Sequence, residues 1–195
     1  KKDRLSPEYE LLDTGIFEED RYFDCYIEYA KADVNDILLK ITVYNRGPET
    51  ATIHVLPHIW FRNFWRHNPR FTKPEISSLN GHCLQTSSER NGQFYFYHQG
   101  GEQVFCDNET NNERMYNRPN ETPFVKDGIN NYVVDKAATV NLQKKGTKAA
   151  VWLKERILPG EPASFQIRLS KKQLEDPWVD FDLVFEERQT ETDYY

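Results

Sequence analysis

Two stretches in the first quarter of the chain alternate apolar and polar residues with a period of two, and this constrains the fold more than any other feature. In residues 22–30, Phe23, Cys25, Ile27 and Tyr29 fall on one side, with Asp24, Tyr26 and Glu28 on the other. In residues 37–43, Ile37, Leu39, Ile41 and Val43 oppose Lys40 and Thr42. Only an extended chain puts every second side chain on one face, so this pattern marks half-buried strands. The polar stretch 31–36 turns the chain between them. Asn45-Arg46-Gly47-Pro48 is a second turn signal, because Gly tolerates positive φ and Pro cannot continue a ladder. Residues 51–59 alternate again through Ile53, Val55 and Ile59, so the spacing predicts an antiparallel meander of three strands.

Further along, residues 93–98 form an aromatic strand entered through the hairpin dipeptide Asn91-Gly92. Residues 103–106 are expected to pair with it across Gly100-Gly101. From 107 to 135 the composition turns to Asn, Glu, Asp, Pro and Gly, which predicts a long loop region of the kind that is usually functional or disordered. Strand patterning returns at 148–153 and 164–169, around the turn Leu158-Pro159-Gly160-Glu161-Pro162. The period then changes. Pro177 stands where a helix would start, and Phe181, Val184, Phe185 and Arg188 recur at three- and four-residue spacing. The expected architecture is an all-β, antiparallel two-layer β-sandwich over residues 1–175, with a linker helix over 176–195 leading toward a further domain.

Composition narrows the function classes. A net charge of −6 argues against a phosphate-tracking surface, so nucleic acid is not an expected partner. No apolar run approaches a membrane span and no signal peptide opens the chain. The three cysteines, Cys25, Cys83 and Cys106, have no metal spacing and read as reduced thiols in a cytoplasm. A mean hydropathy of −0.80 is low for an independent domain, and 14% aromatic residues partly offset it.

Few residues point to chemistry. His54 and His58 share a strand face but stand too far apart there to grip one ion, so no metal site is expected. The Trp60-Phe61-Arg62-Asn63-Phe64-Trp65-Arg66 segment combines rings that stack on sugars with side chains that bond hydroxyls and carboxylates, and it equally suits a domain interface. Residues 107–114 carry many oxygen ligands without the spacing or glycine of an EF-hand loop. Lys126-Asp127-Gly128-Ile129-Asn130-Asn131 suits a loop presenting polar groups. No Ser-His-Asp or Cys-His set and no phosphate loop is visible, and carboxylates are plentiful without any pair standing out as acid and base, so the residues alone single out no catalytic group and imply no cofactor.

Several segments resemble a known family together. They are EYELLDTGIFEEDRYFD (8–24), DILLKITVYNRGPETATIHVLPHIWFRN (36–63), DNETNNERMYN (107–117), KDGINNYVV (126–134), GTKAAVW (146–152) and FDLVFEERQTETDYY (181–195). They are similar to the N-terminal part of bacterial glucosidases related to glycoside hydrolase family 63, the mannosyl-oligosaccharide glucosidase family. The resemblance implies a supersandwich packed on an (α/α)6 barrel. There the barrel supplies both carboxyls for inverting hydrolysis of an α-glucosidic bond, roughly 6.5–9.5 Å apart to admit a water. The implied partners are that barrel and an oligosaccharide. By position, the implied cleft or interface residues are Arg62, Asn63 and Trp65, then Asp107, Asn108, Glu109, Asn111 and Arg114, then Lys126, Asp127 and Asn130. A stand-alone carbohydrate-binding module and an interaction domain without a sugar role are the alternatives.

Overall fold

The alternating stretches form a long hairpin, β1 (Phe23–Asp33) and β2 (Asp36–Asn45), in register from Phe23 opposite Asn45. The computed structural model describes residues 7–66, 68 and 70–194. Of the sandwich and helix expected from the sequence, residues 1–6, 67, 69 and Tyr195 therefore lie outside the described residues. After the hairpin come β3 (Ala51–Val55), β4 (His58–Trp60), β5 (Glu75–Asn80), β6 (Cys83–Ser88), β7 (Gly92–His98) and β8 (Glu102–Cys106). Two helices follow, α1 (Asn112–Tyr116) and α2 (Gly128–Asp135). The chain then runs through β9 (Lys145–Gly146), β10 (Lys148–Ile157) and β11 (Pro162–Ser170) to α3 (Phe181–Tyr194).

The strands build an antiparallel two-layer sandwich. The larger sheet has seven strands in the order β1-β2-β11-β7-β6-β5-β9. The smaller has four, with β10 at its centre, β8 on one edge and β3 followed by β4 on the other. Between them Ile76, Leu84, Phe96 and Ile167 of the larger sheet meet Phe105, Ala149, Val151 and Leu153 of the smaller. Among the described residues no helix is long and apolar enough to cross a membrane.

The connections differ from the expected meander in a consistent way. β3 leaves β2 and joins β10 in the other layer. The crossing is held by Asn45, 1% exposed, whose amide donates to the carbonyls of Glu49 and Ile157 at 2.7 and 2.9 Å. Likewise β8 pairs with β10 rather than with β7. Gly101, at φ +94°, makes that jump possible, and a Cβ there would press on Trp152 and Leu153. The alternating stretch 51–59 is also broken, at Leu56-Pro57, into β3 and β4. Inside the expected loop 107–135 lie α1 and α2, and Ile129 of α2 packs on Val104, Cys106 and Ala150 from outside the smaller sheet.

The C-terminal helix starts at Phe181, after a turn at Pro177. It folds back so that Phe181 and Val184 cover Ala30 and Leu38 on the outer face of the β1–β2 hairpin. The face of β1 expected to point inward is largely uncovered, with Ile27 58% and Tyr29 70% exposed, because the four-stranded layer stops short of that edge.

One polar pin joins the layers. His98 on β7 is fully buried, and its Nδ1–H donates to the Gly100 carbonyl at 2.7 Å. Its Nε2 must then accept from the Gln103 amide of β8, 2.9 Å away. Gln103 also donates to the Asn80 carbonyl and accepts from the Ser78 hydroxyl, at 2.8 and 2.6 Å. Burial holds the His98 imidazole below its ordinary pKa, His82 pushes the same way, and the Gly100 carbonyl opposes them. The unfolded chain therefore binds a proton more readily than the folded one below about pH 6.5. Stability is full above that value and declines as pH falls through the lowered folded pKa. Denaturant midpoints at pH 7.5 and 5.0 should show this decline, and His98→Gln should flatten it. An unchanged pH slope in the variant would exclude His98 as its source.

Candidate functional site

Three strand ends meet at one end of the smaller sheet, because Lys148, the first residue of β10, lies opposite both Trp60 of β4 and Cys106 of β8. The chain leaving β4 and the chain leaving β8 therefore emerge side by side. Thr147 ties them to the sheet. Its carbonyl accepts from the Phe61 amide at 3.0 Å, and its hydroxyl accepts from the Asn108 amide at 2.8 Å. Its own amide donates to Asp107 at 3.1 Å. The Asn108 side chain donates to the Phe61 carbonyl at 2.9 Å. Gly146 is required just before, since a Cβ there would collide with the Cys106 carbonyl.

Glu109 is the hub of this region. It is 5% exposed, and its two carboxylate oxygens accept from the Asn63 amide at 2.7 Å and the Trp65 indole at 2.9 Å. Arg66 approaches the same carboxylate at 3.8 Å and reaches Glu121 at 3.3 Å. The Glu109 carbonyl takes the Lys126 amide at 3.0 Å, which brings the third loop in.

A second knot holds α1. Asn111 caps it by accepting from the Arg114 amide at 3.0 Å, and its own amide donates to Asp127. Arg114 pairs with Asp127 at 3.3 Å, and the Asn120 carboxamide accepts from the Asn112 amide at 2.7 Å.

Between these knots lies an open cleft of about 430 Å³, lined by Asn63, Arg66, Asn108, Thr110, Asn112, Tyr116 and Lys126. Its wall offers carboxamides, hydroxyls and two cations. Such groups can donate and accept hydrogen bonds. Three of the nearby carboxylates are engaged in the walls: Asp107 with Thr147 and with Lys73 at 3.1 Å, Glu109 with Asn63 and Trp65, and Asp127 with Asn111 and Arg114.

Of the residues singled out from the sequence, Asn63, Asn108 and Lys126 line this cleft, while Trp65, Asp107, Glu109, Asn111, Arg114 and Asp127 hold its walls. Arg62 faces a neighbouring aromatic pocket. Asn130 lines neither, and its side chain donates to Asn131 at 3.4 Å. Arg66, Thr110, Asn112 and Tyr116 lay within the segments read from the sequence without being picked out individually, while the roles of Glu121 and of Thr147, inside GTKAAVW, were missed. His54 and His58 do not face a common ligand, since His54 accepts from the Trp152 indole at 2.9 Å and His58 contacts the Leu56 carbonyl. No group of three or more His, Cys, Asp or Glu side chains among the described residues is arranged to hold a metal ion. No protein-family model matches this chain, and no curated protein matches its sequence.

Proposed function

We propose that this chain is a non-catalytic β-sandwich domain of a glycoside hydrolase of inverting α-glucosidase type, related to family 63. In this reading it packs on a helical catalytic barrel and lends the loops at 61–66 and 107–127 to the sugar cleft. The observation that carries it is the saturation of Glu109. A buried carboxylate with both oxygens bonded to Asn63 and Trp65 fixes loop position and leaves no acid–base role for itself. What these loops display is amides, hydroxyls and cations on a rigid strand-end platform, the inventory of a binding wall. The uncovered apolar groove between β1 and β3, lined by Ile27, Tyr29, Ile53 and Val55, suits packing against a second domain. The reading includes a cytoplasmic setting, supported by three free thiols. Those of Cys83 and Cys106 are pushed up to about 11 by burial and are unreactive.

The test has two arms. The reading frame followed past Tyr195 should encode a helical domain. The 195-residue chain alone should not turn over kojibiose or nitrophenyl α-glucoside. A frame closing there with no hydrolase domain, or turnover by the isolated chain that disappears on mutation of one of its own carboxylates, would refute the proposal.

A further inference from the structure

The segment that anchors the polar cleft also faces a second pocket. Asn63 and Trp65 bond to Glu109, while Arg62 and Phe64 turn toward a cavity of about 430 Å³ between the β4–β5 connection and the β6–β7 turn. Its rings are unusually available: Trp60 is 57% exposed, Phe71 43% and Phe64 38%, with Phe64 and Phe71 centroids 6.0 Å apart. Two guanidinium groups converge on one of them, Arg62 at 5.0 Å and Arg90 at 5.6 Å from the Phe64 ring centroid.

Neither arginine has a carboxylate within ion-pair distance among the described residues, although the chain carries an excess of acids and a net charge of −6. The one carboxylate lining the pocket, Glu89, accepts from the Thr72 hydroxyl at 2.7 Å. Two guanidiniums against one carboxylate leave the pocket net positive on an acidic protein. Planar donor forks held against an aromatic face are suited to carboxylate or phosphate oxygens. The exposed rings supply stacking surface for an apolar ring face, and Ser88 and Asn91 at the rim supply groups for hydroxyls.

We infer that this pocket binds a saccharide bearing an anionic group, a pyranose ring with a carboxylate or a phosphate, with Arg62 and Arg90 holding the anion and Trp60 and Phe71 stacking on the ring. The pocket shares Trp65 with the wall of the Glu109 cleft but would hold its ligand on Arg62, Arg90, Trp60 and Phe71, so its failure would leave the domain assignment standing, and the reverse.

The test is titration of the 195-residue chain with glucuronate, glucose 6-phosphate, glucose and inorganic phosphate, followed by Trp fluorescence and calorimetry. Glucuronate or glucose 6-phosphate should bind at least tenfold more tightly than glucose, and whichever is tighter identifies the anion. Arg62→Ala, Arg90→Ala and Trp60→Ala should each weaken that binding at least fivefold, and raising salt from 20 to 500 mM should weaken it in the parent protein. These side chains are exposed, so the variants should keep the parent Tm. If one fails to fold, the parent's salt dependence and the anion-to-glucose ratio decide. Equal affinity for glucose, inorganic phosphate binding as tightly as glucose 6-phosphate, no binding at all, or folded variants with parent affinity would each overturn the inference.

Discussion

Replacing Arg168 with alanine is expected to cost 3–5 kcal/mol, about the range for removing one partner of a buried ion pair, and to release α3 from the sandwich. Arg168, 4% exposed on β11, makes a two-pronged bond to Asp36 at the start of β2, Nε to Oδ1 at 2.9 Å and Nη2 to Oδ2 at 2.7 Å. Its Nη1 donates to the Pro177 carbonyl at 2.9 Å and to Asp180, the residue before the helix. One guanidinium thus ties the edge hairpin, an inner strand and the entry to α3. The hydrogen bond to Asp36, and then that to Asp180, raises the arginine pKa, while the bond from Arg168 holds the Asp180 carboxyl below its ordinary value. Alanine would leave the largely buried Asp36 carboxylate without its counter-charge. Urea denaturation should register the loss, with Tm falling by roughly 10 °C. Exchange protection should disappear first from 181–194. The double variant Arg168→Met with Asp36→Asn should recover much of the loss, since the more buried pair is then removed and the third ion, Asp180, is exposed enough to be solvated. A loss below about 1 kcal/mol would show the ion pair to be dispensable.

That anchor also shows where sequence reading succeeds and where it stops. The spacing of Phe181, Val184 and Phe185 identifies the helix and its apolar face, because period 3.6 is local. It does not say what the face covers, and the helix turns back onto Ala30 and Leu38. Alternation marks β1, β2 and β3 as strands, yet period two is silent about which strand pairs with which. The layer change after Asn45 depends on a buried amide bonded to Ile157, more than a hundred positions away. β8 is harder still. Val104, Phe105 and Cys106 are all buried, with Phe105 toward the other sheet and its neighbours under α2, so no alternation survives to locate its partner. The signal for α2 was present in Ile129, Tyr132 and Val133 at three- and four-residue spacing, hidden by polar neighbours. For the candidate site, the residue types and segments were legible but their roles were not. Asp107, Glu109 and Asp127 could be read equally as ligands, acids or struts, and only their distances to Thr147, Asn63, Trp65 and Arg114 make them struts.

Glu109 provides the complementary test, because its removal should unmake the cleft rather than the sandwich. In Glu109→Ala the Trp65 indole and the Asn63 amide lose their acceptor, and Arg66 loses one of its two carboxylates. Each buried donor left unpaired costs about 1–3 kcal/mol. Relaxation of the loops toward water recovers part of this, which sets the expected loss at about 3 kcal/mol. Glu109→Gln should fall between parent and alanine, since one carboxamide oxygen still accepts while its amino group meets another donor. Because the sheets are joined by Phe105, Val151 and their neighbours rather than by this carboxylate, the sandwich should persist. Exchange protection should be lost across 61–66 and 107–127 and retained in β10 and β11, and Trp65 fluorescence should shift to the red as the indole gains water. If Glu109→Ala instead keeps parent stability and an unshifted Trp65, the loops are held by Thr147 and Asn108 alone, and the buried carboxylate must be kept for a ligand rather than for the wall.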